Sequence, residues 1–197
     1  MRTSSRIVET HSLEDHARLI REQVDRSLKD PQTRWLAAAL AAGNYVWVND
    51  PRTGEQVPAV RYHNRAYRVH PGSPVCGPRD FACEVVSIWN FLVLNTKYVA
   101  DADGYDTYQD LRTTLETGAG DCDDASVAFC ALLRAIGFKC AIRIISQDGR
   151  YWSHVYPIVM IPGRGWTALD ITEKGKAPGW EFPHAKAVQD FPMGDAA

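Results

Sequence analysis

The chain has 197 residues, a formal net charge of −2, and 45% hydrophobic and 23% charged residues. That length buries a sizeable core without staples and fits one ordinary domain, or one domain with an extension. Charge is mixed along the chain, which argues against a nucleic-acid face or a polybasic membrane anchor.

The segment Met1 to Thr10 has arginines and no apolar core, unlike a secretory signal, and no apolar run approaches a membrane span. The five cysteines, at 76, 83, 122, 130 and 140, are an odd and scattered set. They make a poor disulfide framework, so a reducing, cytoplasmic setting is the expectation. Cys76 and Cys83 could pair or bind a metal, but no CxxC and no nearby histidine supports zinc.

Taken in order, Ser12 to Lys29 reads as a helix capped by Ser12, with Leu13, Ala17, Ile20, Val24 and Leu28 on one stripe. Asp30-Pro31 breaks it, and Gln32 to Ala42 forms a second helix ended by Gly43-Asn44. His11 and His16 sit among polar residues and are expected on the solvated surface. Tyr45 to Val48, Gln56 to His63 and Tyr67 to His70 read as strands, with Pro58 arguing for an edge. His63 and His70 read as half-exposed strand residues. The turn-rich segment His70 to Pro78 is the best internal boundary. It divides an N-terminal extension, 1–75, from a core, 76–184, with a tail at 185–197.

Phe81 to Tyr98 is apolar nearly all round and is expected to be a central helix. Asp101 to Tyr108 reads as an acidic turn region, and Tyr108 to Glu116 as a short helix. The turn Gly118-Ala-Gly-Asp-Cys-Asp-Asp124 then delivers Cys122 to the first turn of a helix whose stripe is Cys122, Ser126, Phe129, Cys130, Leu133 and Ile136. Helix N-terminal amides and the helix dipole favour a thiolate there. Phe138 to Ile145, Tyr151 to Ile161 and Trp166 to Ile171 read as three strands that short turns make antiparallel. Beyond Thr172 the chain reads as loop.

A cysteine nucleophile needs a base, and the base needs a third group to fix its tautomer. His154 and Asp170 lie on the second and third of those strands. His154 is nine to ten residues before the turn at Gly163-Arg164 and Asp170 six to seven after it, which calls for a bulge or a longer loop. His154, Tyr156, Ile158 and Met160 share one face, and if that face meets the helix it meets the sulfur. Oxyanion donors would be the Cys122 N–H and the Trp152 indole. Asp121, Asp123 and Asp124 read as favourable charge at a helix start; a calcium site would need a full oxygen-ligand loop and a distal Glu, and no metal or cofactor is expected.

The glycine-aspartate-cysteine element, Leu132 to Gly137, His154-Val-Tyr and Trp166 to Asp170 together resemble the transglutaminase-like superfamily, above all its small bacterial and bacteriophage members. The resemblance extends through Lys97-Tyr98, Asp101 and the tract Leu111 to Glu116, and covers about residues 80 to 175. It implies an α+β, papain-like core with the cysteine helix packed on an antiparallel sheet. It places the nucleophile at Cys122, the base and acid at His154, and the orienting carboxylate at Asp170. Tyr156 stands where many members have tryptophan. It implies a peptide or protein substrate, without choosing between hydrolysis and acyl transfer. Phage relatives suggest cell-wall peptides or virion proteins as targets. The rival expectation is a virion or assembly protein that keeps the fold and docks through residues 1–75. A metal-binding redox protein would require zinc.

Overall fold

The computed structural model of the chain describes residues 5–8, 12–102, 106–173 and 175–194. A strand, β1 (Ser5–Val8), precedes α1 (Leu13–Leu28) and α2 (Pro31–Ala42). Both helices begin where cap chemistry dictates. The Ser12 hydroxyl accepts from the Asp15 N–H, and the Asp30 carboxylate accepts from the Gln32 N–H. Pro31 occupies a first-turn position whose N–H needs no helical partner. Gly43 closes α2 at φ 68°, a conformation that favours glycine. His11 lies outside the described residues.

Three strands follow, β2 (Val46–Asn49), β3 (Gln56–Tyr62) and β4 (Arg65–Arg68), antiparallel and in that spatial order. Pro58 therefore lies on the central strand, not at an edge. The ladder tolerates it for a local reason. Pro58 opposes Trp47 on β2, and on the other side its carbonyl accepts from the Val69 N–H, one residue past the end of β4. The missing donor thus falls where that ladder has already stopped.

The chain continues as α3 (Phe81–Asn95), β5 (Lys97–Tyr98), β6 (Asp106–Gln109), α4 (Leu111–Thr117), β7 (Ala119–Gly120) and α5 (Cys122–Ala135). The α3 helix stops short of Tyr98 because Thr96 turns extended and Lys97-Tyr98 pairs in parallel with Ala119-Gly120. That pairing pins the glycine turn to the end of α3. Where a turn was expected near Tyr108, β6 pairs antiparallel with β1.

Last come β8 (Cys140–Ser146), β9 (His154–Ile161), β10 (Gly165–Ala168) and β11 (Ala187–Pro192), an antiparallel sheet ordered β10-β9-β8-β11. The expectation of loop beyond Thr172 is corrected by β11. As an edge strand it alternates only between half-buried and exposed residues, so its apolar signal is weak. Arg143 holds it in place through a paired contact with both Asp190 oxygens, each at 2.8 Å.

The main core joins α1, α2, α3 and α5 to one sheet face, Ile142, Ile144, Val155, Val159 and Ile161. Residues Val127 to Leu133 of α5 are wholly buried. Each large side chain there contributes about 1.5–3 kcal/mol of burial. The other sheet face, Ala141, Ile145, Tyr156, Ile158 and Ala168, is covered by Phe182 and Ala185. The α+β architecture, with a cysteine helix packed on an antiparallel sheet, agrees with the reading of the sequence. The N-terminal helices share the core of α5.

Cys76 and Cys83 form a disulfide at the boundary segment, and Cys130 and Cys140 are buried free thiols. Of the two options open to Cys76 and Cys83 the structure takes the bond, so the inference of a reducing setting from the odd count loses its basis. Among the described residues, no helix is long and apolar enough to cross a membrane.

Candidate active site

The glycine turn is built for close approach. Gly118 caps α4 at φ 66°. A Cβ on Gly120 would meet the Asp124 Cβ at 2.6 Å, so only glycine lets the turn lie against the first turn of α5. Asp121 is the N-cap. Its carboxylate accepts from the Asp123 and Asp124 N–H groups, while Asp124 reaches back to the Asp121 N–H. Asp124 also accepts from the Gln109 backbone N–H at 2.7 Å and its side-chain amide at 2.6 Å, tying α5 to β6.

Cys122 therefore opens α5 half-buried, in a cleft of about 420 Å³ lined also by His16, Asp123, Arg150, Trp152 and His154. Its pKa is raised well above the ordinary thiol value, first by burial and then by the charges of Asp123 and Asp121. The N–H groups of Val155 and Cys122 itself pull the other way and do not prevail. The same crowding pushes Asp121 up to about 8 and Asp124 up to about 7, in each case mainly through burial. Asp121, Cys122 and Asp123 offer ligand atoms within 4.8 Å of one another. Asp121 Oδ1 accepts from helix N–H groups and Asp123 Oδ1 from His16, so these acids serve the helix start.

His154 and Asp170 meet directly, Nε2 to Oδ2 at 2.6 Å, with side chains 12% and 1% exposed. No bulge is needed. Trp166 pairs with Met160 and Ala168 with Ile158, and the Leu169 N–H continues to the Pro157 carbonyl. That register sets Asp170 beside Tyr156, two positions along from His154 on the same face. The pair is diagonal, a span that side chains of this length cross. Asp170 is held below the usual carboxylate range. Burial alone would raise it, but the bond and charge of His154, with two bonds from Thr172, outweigh burial. Thr172 donates its hydroxyl to Asp170 Oδ1 at 2.7 Å and its N–H at 3.0 Å, and its oxygen lies 3.4 Å from His154 Nε2. Since a carboxylate only accepts, the neutral ring carries its proton on Nε2 and leaves Nδ1 as the basic nitrogen.

The side chains packed toward α5 are those of Val155, Val159 and Ile161, so the His154 face is the opposite one. His154 reaches the cleft because it is the first residue of β9, at the sheet's end. Trp152 lines the cleft, 42% exposed, beside Tyr151.

Reading the sequence missed three participants. Thr172 falls just after the expected strand Trp166 to Ile171, and its sequence position suggests no role for it. Val155 contributes through its backbone. His16, expected on the surface, binds Asp123 Oδ1 through Nε2 at 2.9 Å and Tyr108 through Nδ1 at 2.7 Å. Its place in the sequence did carry a signal: it lies three residues after Leu13 and four before Ile20, at the margin of the buried stripe. His63 is likewise no ordinary strand residue; it sits in a turn at φ 51° and contacts Asp30 at 2.6 Å. His70 is exposed and accepts from the Gly72 N–H.

A second, larger cleft of about 690 Å³ lies beyond Asp121, lined by Trp89, Tyr98, Lys97, Thr172 and Glu173 among others. Cys122 and His154 line the smaller cleft and not this one.

A family model described as the transglutaminase-like superfamily matches residues 74–171. A solved structure from Cytophaga hutchinsonii, described as "a Putative Cysteine Protease", aligns at 16% identity and a TM-score of 0.36, over 58% of this chain and 46% of that one. The chain thus spans less than half the length of that structure. No curated protein matches.

Proposed function

Because the chain belongs to the transglutaminase-like superfamily through residues 74–171, we propose that it is a thiol-dependent acyl-transfer enzyme acting on peptide or protein carbonyls. The observation that carries this reading is the 2.6 Å His154–Asp170 contact beside the cleft that Cys122 lines.

In this mechanism Cys122 Sγ attacks a carbonyl carbon while its proton passes to His154 Nδ1. Asp170 keeps Nε2–H in place and stabilises the imidazolium. The tetrahedral oxyanion is met by the Cys122 N–H, with the Trp152 indole as a further donor. His154 then gives the proton to the leaving amine, and an acyl-thioester on Cys122 remains. Water completes hydrolysis, or a second amine completes transfer: His154 takes the proton of whichever attacks, the C–S bond breaks, and the departing Cys122 sulfur takes that proton back from His154. Asp121 borders both clefts, which leaves room for substrate on either side of the reacting bond.

The test is a burst assay with p-nitrophenyl acetate followed by peptide mapping. The expected result is stoichiometric nitrophenol release and an acetyl group on Cys122, absent in Cys122→Ser. Adding a primary amine then distinguishes transfer from hydrolysis by the product formed. A folded protein that gives neither burst nor adduct would overturn the enzyme reading and leave a scaffold of this fold.

A further inference from the structure

Among the described residues, the titratable side chain that reaches the sulfur's surroundings from outside the matched segment is His16, on α1. The oxygen it binds, Asp123 Oδ1, is also the oxygen toward which the Cys122 S–H points, at 3.9 Å. One carboxylate oxygen thus links the N-terminal extension to the sulfur. The ring is fixed from both sides, since Tyr108 holds Nδ1 and stands edge-on to the ring with centroids 5.5 Å apart.

We propose that His16 is a positioning residue for Cys122, offsetting the Asp123 charge beside the sulfur with its own. The inference rests on Cys122 being the reactive group of the proposed function. When His16 is an imidazolium, both ring nitrogens donate, to Asp123 and to the Tyr108 oxygen, and Asp123 is paired. When His16 is neutral, Tyr108 donates to Nδ1, Nε2–H still donates to Asp123, and the carboxylate charge stands unopposed next to the sulfur. The groups facing His16 are Asp121, Cys122 and Asp123 on α5, and Asp106 and Tyr108 on β6. Arg150 and His154 line the same cleft. Burial acts to lower the His16 pKa, but the bond and charge of Asp123, with the charges of Asp106 and Asp121, overcome it and raise it from 6.5. The imidazolium therefore persists toward neutral pH.

The experiment is the rate of Cys122 alkylation by iodoacetamide, read by peptide mass at pH 6.5 and pH 9, for wild type, His16→Gln, His16→Arg, Asp123→Asn and the Gln/Asn double variant. Glutamine keeps a neutral donor and removes the charge. Loss of a cation next to a thiol shifts its pKa by about one unit, so His16→Gln should slow alkylation about tenfold at pH 6.5. As pH rises toward 9 and wild-type His16 loses its proton, the gap between the two rates should narrow. His16→Arg should restore the rate at pH 6.5 and exceed wild type at pH 9. In the Asp123→Asn background, His16→Gln should have little effect. A purely structural role predicts equal slowing at both pH values and a lowered melting point, and that outcome would overturn the proposal. So would a His16→Gln effect that survives Asp123→Asn. The cycle reads the sulfur's surroundings without turnover, so its failure is distinct from failure of the burst assay.

Discussion

The two halves of the candidate site are built on opposite electrostatic plans. At the imidazole end, Asp170 is almost fully buried yet held below its usual pKa, because His154 and Thr172 supply donors to it. At the sulfur end, Cys122 and the carboxyls of Asp121 and Asp124 are all pushed up, first by burial and then by the charges of the acids clustered at one helix start. The helix dipole favours an anion there, but local carboxylates and burial outweigh it. The imidazole end is therefore set up for a base and the sulfur end is not set up for a resting thiolate. On the proposed mechanism, the thiol keeps its proton until His154 takes it during attack, rather than resting as a thiolate.

Changes at the imidazole end should cost most. Asp170→Asn removes the carboxylate charge, and because the Thr172 N–H and hydroxyl already donate at the Oδ1 position, the amide oxygen stays with them, the NH2 faces the ring, and the tautomer with basic Nδ1 is lost. Acetylation of Cys122 by p-nitrophenyl acetate should fall by about 100-fold or more, measured as burst rate. The same variant should change acid stability. Asp170 has a folded pKa below its unfolded one, so wild type gains stability above about pH 4 and loses it as pH falls through the lowered value. Denaturant midpoints should therefore separate the two proteins at neutral pH and bring them together in acid.

Changes at the sulfur end should help. Asp121→Asn keeps a capping oxygen and removes a charge that opposes the thiolate. Iodoacetamide labelling of Cys122 should rise by about tenfold at pH 9, where the Asp121 carboxyl is charged, if one pKa unit is recovered, and should change little at pH 7. The Asp121 carboxyl is pushed up to about 8, above its unfolded value. Its contribution favours the fold below about pH 4 and is lost as pH rises through about 8, so the variant's stability advantage should grow across that window. Equal pH profiles for the two proteins would remove the charge contrast on which the comparison rests.

The smallest effect belongs to the support shell. Thr172→Val removes the hydroxyl donor to Asp170 but keeps the backbone bond. It should cost about 1 kcal/mol in a denaturant melt and slow the burst severalfold.

The sequence disclosed the parts of the site that rest on local rules. The glycine turn, the capped α5 start and the order of cysteine, histidine and aspartate follow from residue chemistry over short spans. What it concealed depends on placement across the fold. The diagonal reach from His154 to Asp170 needed the true turn centre at Gly163, where counting from Gly163-Arg164 had suggested a bulge. His16 needed the packing of α1 on α5, which no local pattern encodes. Pro58 misled because its missing donor falls beyond the end of β4. At β11, edge exposure blurred the alternation that marks a strand. The Cys76–Cys83 bond was one of the two options their spacing left open, but the odd total of five weighed against any disulfide.

The most direct measurement compares the Cys122 alkylation rate at pH 7 in wild type and in His154→Ala, with both melts recorded to establish folding. If the imidazole serves as base to the sulfur, removing it should slow alkylation by at least about tenfold while the fold persists. Equal rates in two folded proteins would contradict the pairing of Cys122 with His154.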